Sequence, residues 1–331
     1  MINWGIIGCG KVTEVKSGPA FNKVPDSHLV AVMRRNLALA EDYAKRHNVP
    51  RFYDDAENLI HDPEVNAVYI ATPPGSHAEY AIKSLAAGKP VYIEKPMATS
   101  YRECMMINET AAKYGLPVFV AYYRRTLPGF LKVKELIENG AIGRVRFINI
   151  ELFKAPSDDE RSGKLSWRVD PEIAGGGHFF DLGSHQLDYL DFLFGPVEKV
   201  KSVAVNQGGL YKAEDFVSAI LTFSENIIAS GTWCFNLHNS SNRDVIEIFG
   251  EKGHIKFSTF SFEPIYLINN YGTREYINER PEHVQYFLIS QVVNELLNKG
   301  KAVSTGITAA RTSWVMDEIV KEYYSGTLQK E

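Results

Sequence analysis

Residues 175–188 read GGGHFFDLGSHQLD and place His178, Asp181, His185 and Asp188 at spacings of three, four and three. On a helix those spacings stack four side chains along one face. Two imidazoles and two carboxylates so arranged could ligate a metal, move a proton, or form a solvated polar stripe. A second group stands in GKPVYIEKPMA (88–98), where an apolar run ends on Glu94, Lys95 and Pro96. A lysine at the carboxyl end of a strand in an open parallel sheet is placed to hydrogen-bond a ligand oxygen. A third lies in GIIGCGKVT (5–13), which supplies Gly8 and Gly10 as the first two glycines of a G-x-G-x-x-G motif. The first permits a tight turn, and the second lets backbone approach a pyrophosphate, whose charge favours the helix start that follows. Thr13 occupies the third position, a departure expected to loosen helix–strand packing there.

These groups need elements to hold them. Apolar runs at 2–8, 28–34, 67–72, 90–95 and 117–122 read as strands, with helical segments at 36–48, 76–88 and 100–115 between them. Near-continuous apolar strands alternating with helices predict a parallel sheet covered on both faces, a doubly wound domain of residues 1–122. Gly88 and Gly115 suit the ends of two of its helices. The pattern changes near residues 121–128, where YYRRTLPG (122–129) carries Pro128 and Gly129, and a second domain, 123–331, is expected to begin. It opens with a helix (129–140) and a strand (143–153). After the glycine-led helix, β-rich runs follow at 197–206, 215–223, 226–236, 243–249, 253–258 and 264–269. Turn signals between them predict antiparallel pairing in one sheet, and helices close the chain at 283–299 and 307–324. The runs at 215–236 are apolar at both alternations, which predicts a sheet with neither face fully wet and a homodimer or higher homo-oligomer packed through it.

At 331 residues the chain suits two domains, and its net charge of −4 with no long Lys/Arg run gives no footprint for nucleic acid. Cys9, Cys104 and Cys234 form no CxxC pair and no disulfide framework, which points to a reducing compartment. The N-terminal apolar run is too short for a signal peptide and no segment reads as a membrane span, so a cytoplasmic protein is expected. An NAD-preferring dinucleotide fold carries an acid at the end of its second strand; here AVMRRN offers Arg34 and Arg35 instead, which suit a 2′-phosphate. The cofactor expected is NADP, with NAD as second choice.

Taken in order, ATPPGSH (71–77), EKP, YRRTLPGF with ENGAIGRV, WRVDPEIAGGG, DLGSHQLDYL and STGITAARTSWVMDEI make the chain resemble the Gfo/Idh/MocA family of nicotinamide-dependent oxidoreductases. The resemblance spans essentially the whole sequence. It implies an α/β protein: an N-terminal Rossmann domain plus a C-terminal α/β domain with a large, mostly antiparallel open sheet, the nicotinamide lying between them. It implies Lys95, Asp181 and His185 as the catalytic group, with no metal, and a cis Lys95–Pro96 peptide. Cofactor contacts are expected at Gly8, Gly10, Lys11, Val12, Arg34, Arg35, Thr72, Pro73, His77, Glu94, Lys95, Trp167 and Arg168, and substrate contacts at Tyr123, Arg124, His178 and Asp181. The expected reaction moves a hydride between the nicotinamide and a secondary alcohol or carbonyl of a sugar, polyol or related cyclic diol. Histidine suits the accompanying proton transfer because its pKa lies near neutrality, and Lys95 can polarise the carbonyl. Two other readings compete: a non-catalytic nucleotide sensor, and a metal-dependent hydrolase using His178, Asp181 and His185.

Overall fold

The computed structural model describes residues 1–327, which divide into two compact units. The first begins with β1 (Ile2–Ile7), α1 (Lys11–Val15), α2 (Gly18–Lys23), β2 (Ser27–Met33), α3 (Leu37–His47), β3 (Arg51–Tyr53) and α4 (Ala56–Ile60). It continues through β4 (Ala67–Ile70), α5 (His77–Ala86), β5 (Val91–Ile93), α6 (Tyr101–Tyr114) and β6 (Val118–Val120). The six strands are parallel in the order β3-β2-β1-β4-β5-β6, so the sheet reverses its winding between β1 and β4. In such sheets the crevice beyond the strand carboxyl ends, at this switch point, is where ligands bind. β4 and β5 are buried at every residue, as their unbroken apolar sequence demands. The helices carry their own punctuation: Asn36 and Ser100 cap α3 and α6, and Gly88 and Gly115 take the positive φ (78° and 65°) that ends a helix tightly.

The second unit starts with α7 (Pro128–Glu138), β7 (Val145–Phe153), α8 (Asp158–Arg161), α9 (Pro171–Ala174) and α10 (Ser184–Phe194). Six further strands follow: β8 (Lys199–Val205), β9 (Phe216–Thr222), β10 (Ile228–Cys234), β11 (Arg243–Gly250), β12 (Gly253–Phe257) and β13 (Ile265–Asn269). A seventh, β14 (Gly272–Tyr276), completes an eight-stranded sheet ordered β14-β13-β12-β11-β7-β10-β9-β8. Every pairing is antiparallel except β7 with β10. One face of that sheet is buried, with Ile148, Ile150, Trp233, Ile246 and Ile248 fully enclosed. Trp233 donates its indole N–H to Gln186 of α10 at 2.6 Å and packs against Phe179 at 5.0 Å, which fixes the glycine-led helix on the sheet.

After β14 the chain returns to the first unit. Residues 281–310, carrying α11 (Tyr286–Leu296), cluster with Met1–Thr126, and the division then falls inside α12 (Gly306–Thr327). Tyr123–Thr126 and Pro281–Ala310 group with the first unit, whereas the sequence pattern assigned everything from residue 123 onward to the second domain. The reason is physical. Gln285 enters the buried hydrogen bonds of β5, and Thr305 bridges Phe119 of β6. Among the described residues no helix is long and apolar enough to cross a membrane.

Candidate active site

At the nucleotide end, β1 delivers the chain into Gly8, whose φ of 92° and close approach to Thr72 (a Cβ would come within 2.7 Å of its methyl) both demand glycine. Gly8 and Cys9 donate their N–H groups to Met33 at the end of β2, at 2.9 and 3.1 Å. Gly10 is different. A Cβ there would meet nothing closer than 3.8 Å, so the protein's own packing does not require glycine, whereas a pyrophosphate against the loop would. That open surface fits a dinucleotide. Lys11 and Val12 follow in α1, a single short turn of helix. Thr13 is fully buried and donates its hydroxyl to Gly10 O at 2.8 Å. The close packing expected to suffer there is instead kept by Gly18, where a Cβ would overlap Thr13 O and the Tyr43 hydroxyl.

Arg34 and Arg35 follow β2, both exposed and neither in an ion pair among the described residues. The nearby carboxylate, Glu14, is already taken by two guanidinium hydrogen bonds from Arg46 (2.7 and 2.9 Å), which hold its pKa down to about 2. Cys9, in the same loop, is an unreactive thiol: burial raises it to about 11, against the pull of the Arg34 charge.

The strand ends β4 and β5 present Thr72 and Pro73, and Glu94, Lys95 and Pro96. The Lys95–Pro96 peptide is cis. His77, expected at the cofactor, is fully buried, with Nε2 2.7 Å from Thr72 O and Nδ1 3.0 Å from Pro96 O. Desolvation lowers its pKa, outweighing the two carbonyls that favour the charged ring. Its ring braces the Thr72 and Pro96 loops to each other and has no nitrogen left to offer a ligand. Glu94 is likewise committed to the interior. Tyr69 donates to its Oε1 at 2.5 Å, Gln285 donates to the same oxygen at 2.6 Å, and Tyr92 donates to Gln285 at 2.9 Å. These tyrosines and Gln285 went unread in the sequence, where they look like ordinary core and helix positions. Tyr123 and Arg124 are buried in a 3-10 turn after β6, the guanidinium 5.0 Å over the phenol ring.

In the second unit the glycine-led segment is not one regular helix. Phe179–Gly183 form a π-helical turn that runs into α10, so Asp181 sits on a widened turn, a feature frequent at functional sites. The four polar side chains expected on one face are thereby sent to different partners. His178 meets Glu160 of α8 (Nε2 to Oε1, 2.5 Å). Asp181 lies 3.2 Å from the Arg168 guanidinium, which stacks 4.4 Å over Trp167. His185 is 4% exposed and meets the edge of Phe260 at 5.9 Å. Asp188 is buried, with Thr312 of α12 donating to it at 3.4 Å. Arg168 thus stands with Asp181 rather than only with a cofactor. A metal site would need His178, Asp181 and His185 to converge; among the described residues no three His, Cys, Asp or Glu side chains do so.

The triple glycine has a buried support that the sequence did not announce. Gly177 donates its N–H to Glu214 Oε1 at 2.9 Å, and Tyr324 of α12 donates to Oε2 at 2.6 Å. A Cβ on Gly177 would come within 2.6 Å of Glu214 O, so the turn depends on glycine. Burial pushes the Glu214 carboxyl up to about 7.

Residues 2–122 match the family model described as "Oxidoreductase family, NAD-binding Rossmann fold", and residues 130–256 match "GFO/IDH/MocA C-terminal domain". An oxidoreductase of Formosa agariphila is 40% identical over 317 residues, spanning 96% of this chain and 97% of that protein. The trans-1,2-dihydrobenzene-1,2-diol dehydrogenase of Xenopus tropicalis is 27% identical, over 82% of this chain and 80% of its own. Among solved structures, levoglucosan dehydrogenase in complex with NADH superposes with a TM-score of 0.88 at 24% identity, covering 97% of this chain and 96% of that one.

Proposed function

Because the chain belongs to the Gfo/Idh/MocA family of NAD-binding oxidoreductases, we propose that it is a dehydrogenase or reductase acting on a secondary alcohol or carbonyl of a sugar, polyol or cyclic diol. The cofactor we propose is NADP(H), held by Gly8, Gly10, Lys11, Val12, Thr72, Pro73 and the pair Arg34 and Arg35. Bound there, it supplies the carbon that gives or takes a hydride.

The chain's own groups handle the substrate oxygen. Lys95, at a strand end whose neighbour Glu94 is locked by Tyr69 and Gln285, donates to the oxygen and stabilises negative charge on it. His185 accepts the hydroxyl proton in oxidation and returns it in reduction. Asp181, held by Arg168, orients a substrate hydroxyl beside it. The observation that supports this reading is Asp181 on a π-helical turn, 3.2 Å from the Arg168 guanidinium, with His185 buried further along the same helix.

The test is a screen of hexoses, cyclic polyols and diols with NADP+ and NAD+, followed by absorbance of the reduced nicotinamide. Turnover is expected with at least one of them, undiminished by excess EDTA. His185→Ala should lower kcat about a hundredfold or more, the scale of lost acid–base catalysis, and leave cofactor affinity unchanged. Chelator-sensitive turnover, or His185→Ala at wild-type rate, would overturn the mechanism.

A further inference from the structure

Beside the glycine-led helix, within the second unit, lies a cavity of about 750 Å³ whose lining includes Lys154, Glu160, Leu165, His178, Leu182 and Phe235. That size suits a single small ligand. Its polar centre is built, not incidental. Glu160 is buried, and its Oε2 accepts the N–H and the hydroxyl of Ser157 at 2.7 and 2.8 Å in a capping box. Its other oxygen takes His178 Nε2 at 2.5 Å. Burial pushes the Glu160 carboxyl up, but the Ser157 bonds and the histidine outweigh it and hold the group ionised below the ordinary value. The imidazole is wedged in place, with Tyr211 edge-on at 5.9 Å and Phe235 tilted at 5.3 Å.

A carboxylate accepting from Nε2–H fixes the orientation of the ring and leaves Nδ1 as its other hydrogen-bonding atom, and a hydroxyl can serve Nδ1 as donor or acceptor. Nδ1 of His178 makes no hydrogen bond among the described residues. Glu160, with both oxygens occupied, has no part except to orient. We propose that Glu160 and His178 form a hydroxyl-reading dyad, in which Nδ1 of His178 hydrogen-bonds a ring hydroxyl of an uncharged sugar or cyclic polyol. The charges around the cavity argue for a neutral ligand. Lys154 and Lys164 are balanced by Asp159 and Glu160, and Lys164 already lies 3.8 Å from Asp159. Leu165 and Leu182 extend the apolar wall.

The inference rests on the sugar or polyol reading above, and the experiment separates the two. The imidazole nitrogens of the full-length protein with NADP(H) bound are observed by 15N NMR, His178 being assigned by its loss in His178→Ala. The expected spectrum shows Nε2 protonated and an Nδ1 resonance that moves when D-glucose, D-galactose or myo-inositol is added. Glu160→Gln keeps an oxygen for the Ser157 cap but loses the charge; it should release the ring from its fixed orientation and weaken binding of the same probe about tenfold or more. A probe that is turned over without moving the His178 resonance overturns the dyad while the oxidoreductase reading stands. A resonance that moves with a neutral probe, in a protein that turns none over, does the reverse. If only D-glucuronate moves it, or nothing does, the dyad is refuted.

Discussion

Arg34 and Arg35 owe their chemical meaning to what surrounds them. The acid close to the glycine loop, Glu14, is spent on Arg46, and the two strand-end guanidiniums are exposed. Each can make charge-assisted bonds to a 2′-phosphate that a bare 2′-hydroxyl cannot return. Replacing both with alanine should weaken NADP(H) about tenfold or more for each arginine lost while leaving NAD(H) nearly unchanged. Fluorescence titration of the two reduced cofactors measures this, and a wild type that binds NAD(H) more tightly than NADP(H) would be decisive against it. His77 illustrates the opposite lesson at the same scale. Its place in ATPPGSH suggested a ligand contact, but both nitrogens face backbone carbonyls, so it acts by bracing Thr72 against Pro96.

Among the elements, the triple glycine turn carries the most consequential support. Burial raises Glu214 from 4.5 to about 7 in the folded state, with the charge of Asp215 adding to the rise and the Tyr324 and Gly177 hydrogen bonds opposing it. The folded protein therefore keeps a proton that the unfolded chain has released. The stabilisation is complete below about pH 4.5 and is lost as pH rises through about 7. Thermal midpoints should fall across that interval, and Glu214→Gln, which retains an acceptor for Gly177, should flatten the fall. Equal slopes in the two proteins would remove Glu214 as its source. Little of this was legible beforehand. Apolar periodicity marked most strands and the long helices, since burial writes itself into residue type, but it passed over the short helices α2, α4, α8 and α9. It missed β3, three half-buried residues, and β14, whose residues are almost all exposed. It also could not distinguish a π turn from an α turn, because residue type does not record whether an N–H bonds four or five residues back. Lys95, Asp181 and His185 were visible through ordered motifs; Glu160 and Glu214 were not, since their partners are set by tertiary contact and not by any period.

For the molecule as a whole, the large sheet leaves one face only partly covered. Phe147, Phe249 and His254 stack across three strands at 6.0 and 5.2 Å, while Val203 and Ile220 remain 59% and 51% exposed. Exposed apolar residues spread over a half-covered sheet face suit an interface, and we expect two copies to bury them against each other. Light scattering at micromolar concentration should give a dimer, and Ile220→Asp with Val203→Asp should give a folded monomer; a monomeric wild type would contradict the assignment. The chain's return through residues 281–310 has a different consequence, one of timing. On the ribosome, the nucleotide-binding unit cannot finish folding when its first 126 residues emerge, because Gln285 and α11 are still unsynthesised. Its core must wait, partly assembled, until residues 281–310 have been made. A fragment ending at Thr126 should accordingly remain unable to bind NADP(H), and it should gain that ability when residues 281–310 are supplied in trans.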